Sequence, residues 1–266
     1  MSLVVQSAAP TGHSGVKHAV RSELVKILTL PSTAIILGVT AVAGLLVTGL
    51  VTNSVQYHPG DPGFDATQEA LTGLVIAALT GGVFGALLIT AEYSSGTMRA
   101  TLSATPRRPV LLAAKMGVTA AATVVFCELL SFASFFLGEG ILAGRGIPSA
   151  TLGTPGALRA VLMTGLCISL LALMAFGFGL ISRSTAGAIA AFAGVVFVLP
   201  LVMHAISQGA VRYLPPTILV NSIMATASQG FGPNQPVSAG VGLLLMVLYA
   251  GISLATGAVL FMKRDA

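Results

Sequence analysis

Six stretches of almost unbroken apolar residues run along the chain, and none of them alternates with the period of two that marks a strand. They are Ser32–Thr52, Leu71–Ala91, Met116–Ala143, Ala157–Ile181, Gly187–Ile206 and Ala239–Met262. Crossing hydrocarbon takes about 20 helical residues at about 1.5 Å each, against roughly ten for a barrel strand. In lipid each backbone amide has to pair within its own segment, so such runs are helices. The pattern predicts an all-α integral membrane protein with six transmembrane helices, its transmembrane domain occupying residues 32–266.

The polar positions between the runs refine this plan. "VKHAVRSELVKIL" precedes the first run, and its Val16, Val20, Leu24 and Ile27 fall within about 80° of one another on a helix. Arg21, Glu23 and Lys26 make up much of the polar remainder. An amphipathic helix over residues 16–30, lying in the headgroup layer, fits that pattern. Pro31 would end it and turn the chain into the bilayer; the alternative is one long, bent helix over residues 16–50. The first fifteen residues read as a loose tail, without the cleavage site of a secretory signal. Near the other end, "YLPPTILVNSIMATASQGFGPNQP" holds a moderately apolar centre, Thr217–Ala227, too short to span. It reads either as a re-entrant or interfacial helix or as an irregular loop. Several of the 31 glycines lie inside the runs. Gly81, Gly82, Gly85, Gly177, Gly179, Gly240 and Gly242 are placed to let helices approach closely.

Composition removes the soluble alternative. The 266 residues are 55% hydrophobic and 8% charged, where a soluble domain carries about 25% charged residues. Mean hydropathy is +0.94 and the pI about 9.6. The basic pI is not a nucleic-acid signal, because the cations are few and flank the apolar runs, where they act as topology signals. Ten of the 13 cations fall on one side of a six-span plan: Lys17, Arg21, Lys26, Arg99, Arg107, Arg108, Lys115, Arg183, Lys263 and Arg264. Arg145, Arg159 and Arg212 fall on the other, with the acids Asp61, Asp65, Glu69 and Glu139. The bias predicts that both termini are cytoplasmic.

No catalytic constellation is present in the sequence. It has no phosphate-loop GxxxxGK[ST], no HExxH and no GxSxG. His13, His18, His58 and His204 are scattered, and Cys127 and Cys167 sit deep in apolar runs without metal-ligand spacing. No enzyme, metal site or cofactor is expected on this chain. The one carboxylate deep within a run is Glu128, about 20 Å along the helix from Lys115. An unbroken helix would align Glu128, Phe132, Phe135 and Glu139 on one face. Two readings stand: a lining for a translocation path, or a protonated, hydrogen-bonded glutamate tying helices together.

The longest basic island between apolar runs is "EYSSGTMRATLSATPRRPVLLAAK", Glu92 to Lys115. It resembles the segment after the second span in ABC-2 type permeases of bacteria, through Glu92, Gly96, Thr97, Arg99, Thr101, Leu102, Pro106, Arg107, Arg108 and Lys115. "VRSELVKI" (Val20–Ile27) is similar to that family's N-terminal interfacial helix, and "RYLPP" (Arg212–Pro216) to its outer stretch before the last span. Many actinobacterial relatives carry a Trp-rich start to the first span, where this chain has "LTLPSTAIILG" and no Trp. The resemblance implies a six-helix exporter-like permease in the bacterial cell membrane, with a short cytoplasmic coupling helix drawn here over Ser94–Ala104. It implies that Glu92, Ser95, Gly96, Thr97, Arg99, Leu102, Arg107 and Arg108 face a separate ABC ATPase, which would hold ATP and Mg. A second permease subunit would complete a homodimer or heterodimer among membrane lipids. The implied function is ATP-driven export of a lipid-like, peptide or antibiotic substrate. The alternative is another class of polytopic membrane protein, a secondary transporter or an assembly subunit.

Overall fold

The computed structural model describes residues 16–61, 63–98, 108–225 and 237–263. The described chain is helical, and six of its helical segments are long and apolar enough to cross a membrane. Helix α1 (Val16–Thr29) is followed at once by α2 (Pro31–Ser54). Leu30 between them is extended, with φ −75° and ψ 120°, and Pro31 opens α2. Residues 16–50 are therefore two helices, because Pro31 forces the residue before it out of the helical region. A short α3 (Ala66–Leu71) leads through Thr72 and Gly73 into α4 (Leu74–Ser94), so the second crossing begins earlier than the apolar run that announced it. The Asp65 carboxylate starts α3 by accepting from the Gln68 amide at 3.2 Å.

Helix α5 (Arg108–Gly144) is 37 residues without a break. Then follow α6 (Ala157–Ser182) and a fifth crossing made of α7 (Thr185–Ala193), a π-helical turn over Gly194–Val198, and α8 (Leu199–Ile206). The wide turn lies just before Pro200, whose ring crowds the preceding turn and removes an amide donor. After α9 (Gln208–Val211), α10 (Pro215–Ser222) is tucked against α6 and α11 (Ala239–Lys263). Of the two readings of Thr217–Ala227, its first part is helical: the helix begins two residues earlier, at Pro215, and ends at Ser222, and Ile218, Leu219 and Ile223 are buried. The remainder of that connection lies outside the described residues.

Helix α6 is the centre of the bundle. Of its most apolar window 72% is buried, against 17% for α2 and 11% for the fifth crossing. Both α4 and α11 pack along it, and small residues make this possible. A side chain on Gly85 of α4 would drive into the backbone carbonyl of Ala172. One on Gly177 of α6 would meet Ser253 of α11. By contrast, Gly240 faces open space, so abundance of glycine alone did not mark the contacts.

The outer surfaces of α2, α8 and α11 are lined with exposed Ile35, Val42, Leu50, Leu201, Ile206, Leu244 and Ile252. In water such surfaces would be unstable; against lipid tails or a neighbouring helix they carry no such penalty. The buried face of α2 is instead a line of small polar residues and glycine: Thr33, Thr40, Gly44, Thr48 and Thr52. The Thr48 and Ser134 hydroxyls lie 2.7 Å apart, and Ser134 donates to the Ala70 carbonyl at 2.8 Å. Helices α2, α3 and α5 are pinned together there by polar bonds that lipid cannot replace.

Candidate functional site

The most strongly charged place in the described bundle is where α1, α4 and α5 meet. Glu23 and Lys26 stand one turn apart on α1. Glu92 belongs to the last turn of α4, and Lys115 lies two turns into α5. The Lys115 ammonium donates to Glu23 Oε2 at 2.6 Å and to Glu92 Oε1 at 2.7 Å. Lys26 donates to Glu23 Oε1 at 2.8 Å and to Glu92 Oε1 at 3.1 Å. Each cation bridges both carboxylates, so the four groups close a ring with no net charge.

Burial gives this ring its weight. The side chains of Lys115 and Glu23 are each 5% exposed, Glu92 13% and Lys26 34%. Charges taken this far from water are tolerated when paired and hydrogen-bonded, and removing one member strands the others. Burial alone would raise the Glu23 pKa, but the neighbouring ammonium of Lys115, with Lys26 behind it, more than reverses this and holds the carboxyl below its ordinary range. Burial likewise works against the Lys26 charge, and the carboxylates of Glu23 and Glu92 more than offset it, so its pKa is raised.

Local sequence explains why α1 presents these residues. Ala19 and Glu23, one turn apart, form its buried face, and the small Ala19 lets α1 lie close against α5. The apolar wedge read from the sequence is only partly turned into the bundle. Val16 is 59% and Leu24 43% exposed, while Val20 and Ile27 are half-buried. The wedge angle and the contact angle differ because a paired, buried Glu23 docks the helix, which periodicity of apolar residues cannot register. Arg21 on the same helix is exposed and stands outside the ring.

Beside the ring is a cavity of about 180 Å³ between α1, α2, α4 and α5. Leu30, Ile36, Phe84, Leu87 and Leu88 contribute apolar walls, and Glu92 and Lys26 stand at its polar end. Both Lys bonds to Glu92 fall on Oε1; its Oε2 is buried and accepts from no group of the described protein.

The connection that leaves α4 is anchored next to this ring. Ser95 donates to the Ala91 carbonyl at 2.8 Å, and its hydroxyl lies 2.8 Å from that of Thr97. Gly96 turns the chain with φ +71°, a conformation that costs a residue with a Cβ. Met98 then inserts into a cluster with Ile89, Leu112, Phe176, Leu180 and Phe261, which ties α4, α5, α6 and α11 at this end. Arg99, Leu102 and Arg107, and with them most of the helix drawn over Ser94–Ala104, lie outside the described residues. Arg108 is the first residue of α5 and is half-buried. Arg183, in the left-handed conformation that ends α6, stacks over the Tyr93 ring at 5.5 Å.

Glu128, Phe132, Phe135 and Glu139 do share one unbroken helix, but they face different surroundings. The Glu128 carboxylate, half-buried, lies against Gly165 of α6, where any Cβ would collide with it. Phe132 is half-buried and Phe135 fully buried. Glu139 is buried near the opposite end and accepts from the Ala150 amide at 2.6 Å. Among the described residues no group of three or more His, Cys, Asp or Glu is placed to hold a metal ion.

A family model described as an ABC-2 family transporter protein matches residues 51–266, most of the chain and all of the connection from Glu92 to Lys115. The chain belongs to the ABC-2 transporter family. It is therefore a polytopic permease chain of the ABC-2 type, which removes the alternative of an unrelated membrane protein. No curated protein matches this ABC-2 chain. The family match begins within α2, so Glu92 and Lys115 fall inside it and Glu23 and Lys26 before it. The amino-acid order places Glu23 and Lys26 on the interfacial helix, Glu92 on the connection, and Lys115 among both the topology cations and the family-like residues, but does not join the four. The signal that would have joined Lys115 to Glu92 is the acid at the end of one span facing a base at the start of the next. Met98 carries no signal in the amino-acid order, since one apolar residue in a basic island has no periodicity.

Proposed function

We propose that this chain is the permease half of a bacterial ABC exporter, with its α1 end in the cytoplasm and ATP hydrolysis on a separate subunit docked at the 92–115 connection. The observation that carries this reading is the ring of Glu23, Lys26, Glu92 and Lys115. A motor in water must push on something rigid. At this end the connection is rooted in α4 by Gly96 and Met98 and in α5 by Arg108, and the ring joins both helices to α1. A displacement of the connection would move three helices together, with the charges staying paired. The cation bias supports a cytoplasmic place for this end. Two such subunits, identical or not, would enclose the path for a lipid-like, peptide or antibiotic substrate, and Glu128 is the residue of α5 proposed to border it.

The tagged chain, isolated from its native membranes, is expected to bring with it a phosphate-loop ATPase identifiable by mass spectrometry. Arg99→Ala and Gly96→Leu are expected to leave membrane insertion intact and to lower the recovered ATPase about tenfold, the size of a lost interface anchor. Undiminished recovery with both variants would remove the coupling role of this connection. Absence of any ATPase from the wild-type preparation would remove the exporter reading itself.

A further inference from the structure

The cavity beside the charge ring has the chemistry of a lipid site. One side is apolar, formed by Leu30, Ile36, Phe84 and Leu87, and the other ends on Glu92 and Lys26. It reaches the bundle surface where Leu30 is 48% exposed and Ser32 and Ala91 are exposed. Such an exposed apolar surface carries no penalty against lipid tails. At the polar end Glu92 Oε2 is buried and accepts no hydrogen bond, a costly condition for a carboxylate oxygen. Close by, the half-buried Lys26 ammonium spends two of its three N–H groups on Glu23 and Glu92. The vacant acceptor and the spare donor stand within one ring that is already neutral.

We propose that this cleft holds a phospholipid with a zwitterionic, primary-ammonium headgroup, that is, a phosphatidylethanolamine. Its ammonium donates to Glu92 Oε2, its phosphate accepts from Lys26, and an acyl chain lies along Leu30, Ile36 and Phe84. The headgroup is selected on both charges. A choline headgroup has no N–H to give Glu92. A glycerol headgroup brings a phosphate without an ammonium of its own, and so adds net negative charge to a ring of two carboxylates and two ammoniums that is already neutral. The site needs a membrane but no ATPase, so it stands or falls separately from the coupling role of the connection.

The test uses the full chain purified in detergent, with native mass spectrometry of retained lipid. Dioleoyl phosphatidylethanolamine is compared with the phosphatidylcholine and phosphatidylglycerol of the same acyl chains. The ethanolamine lipid is expected to be retained roughly tenfold over either, as one charge-assisted hydrogen bond more would give. Ala91→Phe fills the cleft from α4 without touching the ring and is expected to abolish the preference, as is Glu92→Gln. Should Glu92→Gln fail to fold, Ala91→Phe decides alone. Equal retention of the three lipids overturns the proposal, and so does a preference that survives Ala91→Phe. Displacement of the lipid by millimolar soluble phosphoethanolamine would mark a headgroup-only site and overturn it too.

Discussion

The two ends of the bundle are held by different kinds of bond. At the α1 end, side chains bond side chains: Lys26 and Lys115 against Glu23 and Glu92. At the opposite end, side chains bond backbone. Arg145 donates to the carbonyls of Thr52 and Val55 at 2.6 and 2.9 Å, clasping the end of α2. Arg159 donates to the carbonyls of Met224 and Ala225 at 2.9 and 3.1 Å, and Asp65 accepts from the Ala225 amide at 2.8 Å. Glu139 accepts from Ala150. Bonds to backbone fix the course of a loop, since the chain must refold locally to release them. Bonds among four side chains fix a relation between helices and leave their backbones intact, so the helices can shift together or re-pair. The difference assigns stiffness in the connections to one end and a transmissible joint between helices to the other.

The charged end is disturbed most forcefully at Lys115. Lys115→Met leaves Glu23 and Glu92 buried with Lys26 alone, and a destabilisation of roughly 3–5 kcal/mol is expected from stranding buried charge. Thermal unfolding in detergent would show it. The double change Glu23→Met with Lys115→Met should recover most of the loss, because it removes a pair. A single variant as stable as the wild type would mean that the ring carries no tension between burial and pairing.

Arg145→Ala tests the other end at smaller size. It deletes two hydrogen bonds to carbonyls at the end of α2, with an expected cost of about 1–3 kcal/mol. Hydrogen exchange should quicken in residues 52–58 and stay unchanged in α1. Equal quickening at both ends would erase the distinction drawn between them.

The smallest effect expected is that of pH on α1. Glu23 has a lowered pKa in the folded chain, so its contribution is fully present above the ordinary value of 4.5 and is lost as pH falls through the lowered one. Lys26 has a raised pKa, so its contribution is fully present below 10.5 and is lost as pH rises through the raised value. Attachment of α1 should be flat between those ordinary values and weaken beyond either. A fluorophore on Val16→Cys would report it as depolarisation. Loosening near neutral pH would contradict the pairing described here.

The number of crossings, the helical class and the family are legible in the order of the amino acids. Runs near 20 apolar residues have one solution in lipid, and the segment from Glu92 to Lys115 carries enough fixed residue types to be recognised. That order also marks Pro31 as the break between α1 and α2, because proline constrains the residue before it wherever it stands. Which face of α1 docks, which glycines are contacts, and the joining of Lys115 to acids 92 and 23 residues away in the chain follow from packing alone. Those are facts of which surfaces meet, and helical periodicity does not encode them. Apolar side chains facing lipid and apolar side chains facing a neighbouring helix look alike in sequence, since both solvents are hydrocarbon. Gly85 and Gly240 are the same residue in runs of the same kind, and the Ala172 carbonyl against one and open space beside the other make the difference.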